Sequence, residues 1–206
     1  MGIKQTIARV LREPAVGKIK FSLDNLRVIG KDFIGLKNRY NALYDHQKLK
    51  VIIDPTINSP ANYNARTVTI SFKNSSVGSD VFSKACIVHE CCHEWMLRDT
   101  VWTPWSEMIQ HECAGFIVQT LYLYLNLSKV SATNRKLIES SIYPKFFGTP
   151  ATKGAEGIAQ QAFAIIEKFQ LHKKQAALKS NDYEALRRVI ASHPKYYSQW
   201  TPKARQ

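Results

Sequence analysis

Apolar and polar positions follow a strand-like period in much of the first part of the chain. Residues 18–23 and 67–72 alternate between the two kinds, and residues 49–53 contain three consecutive β-branched residues, so we expect three strands. Residues 3–12 and 26–43 instead place apolar side chains at helical spacing and predict two helices. The N-terminal part should therefore hold a small sheet with a few helices.

After residue 78 the apolar positions keep a helical period. An asparagine-rich stretch at 58–64, predicted to be a loop, and a turn at 74–78 come before this part. Pro- and Gly-containing joints divide it into segments. The expected helices cover residues 79–98, 105–127, 132–141, 155–175 and 181–192. A few strands followed by a run of helices is typical of an α+β fold.

The length of 206 residues fits one domain, residues 1–206. We expect an N-terminal α/β part at 1–78, a helix pair at 79–127 and a helical C-terminal part at 128–206. No apolar run reaches membrane-spanning length, and the N-terminus lacks the apolar core of a signal peptide. The four cysteines cluster without a C-x-x-C pair, which favours reduced thiols. We expect a protein made in the cytoplasm, whose export would need a signal-independent route.

The net charge of +13 is unevenly distributed. Residues 1–50 carry eleven Lys and Arg against four Asp and Glu, and residues 134–206 carry thirteen against five. Residues 51–133 carry five against seven. The basic flanks could bind an anionic partner, such as nucleic acid, an anionic membrane, an acidic protein or a wall polymer, or could form a solvated surface. The chemistry is expected in the slightly acidic centre.

That central segment contains the sequence His89-Glu90-Cys91-Cys92-His93. On a helix, His89 and His93 lie one turn apart on the same face and can bind one cation. Glu90 lies about 100° around the helix from His89, so it can reach a water at the ion without binding the ion. Catalytic zinc takes three protein ligands and leaves a position for water. We expect one zinc ion per chain, with Glu90 as the general base.

The third ligand is expected from the following helix. Glu112, nineteen residues after His93, shares an apolar helical face with Phe116, and a carboxylate buried there is costly unless a cation compensates it. His111 is adjacent and equally able to bind zinc, although it points about 100° away. Glu107, on the side of His111, is the third candidate. The order of preference is Glu112, His111 and then Glu107.

The segments IVHECCHEW at 87–95 and HECAGFIVQ at 111–119 resemble the gluzincin branch of the zincin metallopeptidases. The resemblance covers roughly residues 64–126 and is closest to bacterial toxin or effector metallopeptidases. It implies a zincin-like fold, with a small N-terminal sheet followed by a mostly helical half that carries the active-site helix. It also implies a site composed of His89, His93 and Glu112 on zinc and Glu90 as base.

One position departs from the family pattern. Many gluzincins carry Asp or Ala four residues beyond the ligand glutamate, where this chain has Phe116. A group that orients the histidines must therefore come from elsewhere, and Glu94 and Asp99 are candidates. In a zincin, an edge strand can pair with an extended substrate backbone, and the resemblance gives this role to the strand at 67–72.

Several residues around the motif have both a structural and a functional interpretation. Cys86 and Cys92 each lie three residues from His89 and are either core residues or a ligand or redox group. Three tryptophans either line a substrate cleft or pack between helices, namely Trp95, Trp102 and Trp105. A donor for the developing oxyanion is also needed. The available groups, among which spacing does not choose, are Tyr143, His172, His193, Tyr196 and Tyr197.

The residues together predict a zinc-dependent hydrolase that cleaves peptide (amide) bonds in a protein or peptide substrate. The resemblance implies an effector or toxin-type protease from a bacterial or phage cytoplasm. One alternative is a DNA-associated protease of the SprT type, whose pattern usually adds a third histidine and a cysteine zinc ribbon that this chain lacks. Another is a basic nucleic-acid-binding module with a structural zinc, which salt-sensitive DNA binding that survives Glu90→Gln would support. A non-catalytic zinc scaffold is a third. The oligomeric state stays open.

Overall fold

The computed structural model describes residues 2–36, 48–97, 105–127 and 153–193. They form a mixed α+β fold with two small sheets and several helices, which confirms the predicted α+β class. The helix predicted at 132–141 lies outside the described residues. The helices are α1 (Ile3–Val10), α2 (Pro14–Lys18), α3 (Val81–Leu97), α4 (Trp105–Asn126), α5 (Lys153–Phe169) and α6 (Glu184–Ser192), with 3-10 helices at Gly30–Gly35 and Ser180–Asp182. The strands are β1 (Lys20–Leu23), β2 (Leu26–Ile29), β3 (Lys50–Ile53), β4 (Ala61–Asn64), β5 (Thr69–Phe72) and β6 (Ala176–Leu178).

The first sheet contains strands from the N-terminal and the C-terminal parts of the described chain. Its strand order is β2-β1-β6, in which β1 and β2 form an antiparallel hairpin and β6 adds parallel to β1. Asp24, in the hairpin turn, has a φ of 50°, a left-handed conformation that Asp tolerates better than most residues. Its carboxylate accepts hydrogen bonds from the Ser180 hydroxyl, at 2.8 Å, and from the Tyr183 hydroxyl. The hairpin is thereby tied to the segment that follows β6.

These hydrogen bonds also shift the acidity of both partners. The hydrogen bond from Tyr183, followed by those from Ser180, holds the pKa of the Asp24 carboxyl below its usual value. Burial, and then the hydrogen bond to Asp24, raise the pKa of Tyr183 to about 12. The pair is therefore an ionised carboxylate and a neutral phenol at physiological pH.

The second sheet has the order β3-β5-β4, with β3 parallel and β4 antiparallel to the central strand β5. The strand predicted at 67–72 is present as β5, and all four of its residues are buried. Its predicted place at the edge is wrong, because β3 and β4 flank it on both sides. Val68 has a φ of 49°, so extended pairing begins only at Thr69.

Two further predictions for the N-terminal part differ from the structure. The described portion of the helix predicted at 26–43 contains β2 and a 3-10 helix, because pairing with β1 takes the first four residues into the hairpin. The loop predicted at 58–64 contains β4, whose sequence Ala-Asn-Tyr-Asn has low strand propensity. Its pairing with β5 supplies the stabilisation that propensity does not.

The helices α3 and α4 pack along each other and form the centre of the core. Glu13, just before α2, ties both of them to the N-terminal part. Its Oε1 accepts from Lys84 Nζ of α3 at 2.8 Å, and its Oε2 accepts from the Tyr122 hydroxyl of α4. Burial, with Glu13 adding to it, raises the pKa of Tyr122 far above its usual value, so the phenol stays a donor. One carboxylate therefore bonds to a residue of each of the two helices.

Candidate metal site

Helix α3 brings the two motif histidines together, as their spacing predicts. His89 and His93 are one turn apart, and each is less than a tenth exposed. Their Nε2 atoms lie 2.9 Å from each other, and their ring centroids are 4.7 Å apart. Both rings therefore direct the same nitrogen at one point between α3 and α4.

Helix α4 supplies a carboxylate at that point. Glu112 Oε2 lies 3.8 Å from His89 Nε2 and 3.6 Å from His93 Nε2. Among the described side chains, these three form a group that could hold a metal ion. The three atoms enclose a point about 2 Å from each of them, which is the length of zinc bonds to imidazole and carboxylate. The donor set thus fits a small divalent cation in size and in chemistry.

Close approach of the two helices depends on Gly115. A Cβ atom at this position would lie 2.8 Å from His89 Cε1, 2.9 Å from His89 Nε2 and 3.1 Å from His93 Nε2. Glycine in a helix interior costs about 1 kcal/mol relative to alanine, so the position has a reason other than helix stability. The absent side chain leaves the space in which both imidazoles meet Glu112.

The other nitrogen of His89 is held by Gln119 of α4. His89 Nδ1 lies 3.0 Å from Gln119 Oε1, and Gln119 is 1% exposed. His89 Nδ1 thus has a hydrogen-bond partner other than Glu94 and Asp99, the two orienting groups that the sequence suggested. Glu94 is fully buried, and Asp99 lies outside the described residues. The sequence signal for Gln119 is its place two helical turns after Glu112, on the same face.

Glu90 lies beside the three-residue group in a common cleft. It is 5% exposed and lines this cleft with His89, His93 and Glu112. Residues of β4, namely Ala61, Asn62 and Tyr63, form another wall, together with Ala65, Leu97, Met108 and His111. The cleft encloses about 100 Å³, less than the roughly 300 Å³ at which pockets begin to enclose a small molecule. A ligand larger than this volume would extend beyond the cleft.

His111 lines the cleft but does not belong to the metal-binding group of the described side chains. Burial, and then the proximity of His93, lower its pKa to about 4, so its ring is neutral at physiological pH. Its buried Nδ1 has no hydrogen-bond partner among the described residues. Of the two adjacent candidates for the third ligand, Glu112 is the one brought to the histidines. The side chain of Glu107 lies outside the described part.

The cysteines near the motif have the properties of core residues. All four are buried, and burial raises the pKa of three of them, Cys91, Cys92 and Cys113. Cys86 donates a hydrogen bond to the carbonyl of Phe82, four residues earlier in the helix, at 3.2 Å. Thiols of this kind are poor nucleophiles, because the thiolate is not populated.

The remaining sequence candidates lie away from the cleft or outside the description. Trp95 packs against Phe33, with ring centroids 6.0 Å apart, which supports its packing interpretation. His172 stacks on Tyr124, and His193 is buried at the end of α6; neither is among the described residues that line the cleft. The candidates outside the described side chains are Trp102, Trp105, Tyr143, Tyr196 and Tyr197.

Comparisons of the chain with models of known protein families, with curated proteins and with solved structures give no match. The gluzincin resemblance of the two motifs therefore stays a prediction. Within the described residues, no helix combines the length and the apolar character needed to cross a membrane.

Proposed function

We propose that this chain is a zinc-dependent hydrolase that cleaves peptide bonds, with His89, His93 and Glu112 as ligands and Glu90 as general base. The observation that carries the proposal is the convergence of a two-imidazole, one-carboxylate group and a fourth, separate carboxyl-bearing residue in one cleft. Two helices supply these residues, and a sheet forms the opposite wall.

The composition of the group favours zinc and a catalytic role. Imidazole nitrogen suits zinc better than magnesium or calcium, which prefer oxygen ligands. Structural zinc sites have four protein ligands, whereas two histidines and a glutamate leave one position for water or substrate. When bound, zinc polarises a carbonyl group and lowers the pKa of water toward neutrality. The described side chains supply three ligands to such an ion.

Glu90 is proposed to move the proton. It follows His89 in the helix, so its carboxylate can face the open side of the group while the histidines face the metal. It would accept a proton from the attacking water and deliver it to the amide nitrogen that leaves. Its burial keeps competing water away from the carboxylate.

Peptides are the proposed substrates because of β4. This strand borders the cleft, and on its outer side no strand pairs with it among the described residues. The edge of a sheet can form main-chain hydrogen bonds with an extended peptide, whatever the sequence of that peptide. A cleft too small to enclose a ligand, beside such an edge, suits a chain that lies across the metal. The effector or toxin type rests only on the resemblance of the motifs.

The test is the Glu90→Gln variant, which keeps the shape of the side chain and removes its basicity. We expect it to bind zinc as the wild type does and to lose cleavage of a degenerate peptide library, read out by mass spectrometry of new termini. The control is Glu167→Gln, the same change on the exposed surface of α5, which should leave cleavage unchanged. Cleavage by Glu90→Gln at the wild-type rate would refute the assigned role.

A further inference from the structure

Three residues on one face of α4 lie opposite the histidines of α3. Glu112, Gly115 and Gln119 are separated by three and four residues, which places them in one row along a helix. Glu112 faces both histidines with its carboxylate, and Gly115 leaves the space that their rings occupy. Gln119 is the third member of the row.

The contact of Gln119 determines which nitrogen of His89 carries the hydrogen. A carbonyl oxygen can only accept, so the 3.0 Å contact between Gln119 Oε1 and His89 Nδ1 requires a hydrogen on Nδ1. A neutral imidazole has only one N–H group. If Nδ1 carries the hydrogen, the Nε2 atom of His89 has a lone pair and no hydrogen. This lone pair accepts a hydrogen bond from His93 Nε2 at 2.9 Å and lies 3.8 Å from Glu112 Oε2. The hydrogen bond therefore selects the tautomer that a metal needs.

The ring of His89 is also fixed in angle. Phe116 packs edge-on against it, with centroids 4.9 Å apart and planes at 73°. The amide of Gln119 is almost fully buried, so water does not compete for the Nδ1 hydrogen. The ring is held by an acceptor at one end and an aromatic wall at its side.

We propose that Gln119 is a positioning residue that holds His89 as the Nδ1–H tautomer, so that Nε2 is ready for a metal ion before the ion arrives. This inference rests on the proposed metal site. A carboxylate often orients a metal-binding histidine, and here the neutral amide of Gln119 has that role. It orients the ring without adding a negative charge next to Glu112 and Glu90.

Loss of the acceptor should weaken metal binding. In Gln119→Leu, the buried Nδ1–H loses its partner, and moving the hydrogen to Nε2 blocks the metal-binding nitrogen. Removing a partner of this kind lowers metal affinity about 10- to 100-fold. Gln119→Glu keeps an acceptor of the same length and should retain most of the affinity. Thr120→Val, which removes the neighbouring buried polar group of α4, is the control and should change nothing.

The test has two readouts. The first is the ¹⁵N chemical shifts of the His89 ring in metal-free protein at about pH 8, where an ordinary imidazole is neutral. The second is the zinc dissociation constant by competition with a chelating dye. We expect an Nδ1–H ring in the wild type, in Gln119→Glu and in Thr120→Val, and a shift toward Nε2–H in Gln119→Leu with about 10- to 100-fold weaker zinc binding.

An Nε2–H ring in the metal-free wild type would overturn the proposal without any variant. So would an unchanged zinc dissociation constant in Gln119→Leu. Failure of the proposed function gives a different result. In that case the wild type would show the Nδ1–H ring but bind no zinc, which would support the tautomer assignment and refute the metal site.

Discussion

Gly115 provides the sharpest structural test of the proposed metal site. Replacing it with alanine adds a Cβ atom 2.8 to 2.9 Å from two atoms of the His89 ring and 3.1 Å from His93 Nε2. Ordinary contacts of this kind begin near 3.4 Å, so the rings must move by about 0.5 Å or the helices must separate. Metal–ligand distances tolerate only about 0.2 Å. The added methyl group should therefore disrupt the site.

Two opposing terms set the stability of the metal-free Gly115→Ala variant. Overpacking costs about 1–3 kcal/mol, and alanine regains about 1 kcal/mol of helix propensity. The net loss is then at most about 2 kcal/mol, which leaves the protein folded. Metal affinity should fall much further, by at least about 100-fold, because two of three ligands are displaced. That factor corresponds to about 2.7 kcal/mol of binding free energy.

The assay is zinc titration against a chelating dye, together with circular dichroism to confirm retained helix. Gly17→Ala is the matched control, because its Cβ would meet nothing nearer than Lys31 Cε at 3.8 Å. It should bind zinc as the wild type does. The reasoning is refuted if Gly115→Ala keeps its helix content and binds zinc within about threefold of the wild type.

Other predictions concern the third ligand, the acid stability and the thiols. Glu112→Ala should lose tight zinc binding while His111→Ala keeps it, as measured by zinc titration; the reverse result would make His111 the ligand. Because the pKa of Asp24 is lowered in the folded state, its stabilisation is complete above the unfolded value of 3.8 and is lost as pH falls through the folded pKa. Asp24→Asn should therefore flatten the acid side of the unfolding-midpoint profile; an unchanged profile would contradict this. The four buried cysteines should resist iodoacetamide until the chain unfolds, and rapid labelling of the native protein would show that they are accessible.

The centre of the candidate site could be read from the sequence because it depends on one helical period. The i, i+4 spacing of His89 and His93 places their rings on one face in any regular helix. Glu112 was preferred to His111 because of the cost of burying a carboxylate. Glu112 Oε2 does face the two histidines, but its side chain is 19% exposed and His111 is the more buried of the two. The helical period was sufficient for the two histidines, whereas the approach of Glu112 depends on the packing of a second helix.

The strands around the site could not be predicted from the sequence pattern. β4 has a sequence typical of a loop, and only its pairing with β5 makes it a strand. The central place of β5 depends on β3 and β4 together, which no single segment encodes. β6 is a three-residue strand that pairs with β1 across most of the chain, from Ala176 to Phe21. Such pairings are non-local, so periodicity does not reveal them.

The role of Gln119 could be predicted from the sequence only in part. Its position on the face of Glu112 is a local fact of the helix, but its partner, His89, belongs to another helix and is thirty residues away. A buried amide in an apolar row signals that a partner exists. It does not say which one.

X-ray diffraction from protein crystals grown with zinc, recorded above and below the zinc absorption edge, tests the central claim most directly. The account predicts one anomalous peak per chain, within about 2.2 Å of His89 Nε2, His93 Nε2 and a Glu112 carboxylate oxygen. No peak at this position, or a peak bound by other residues while these three keep their places, would contradict it.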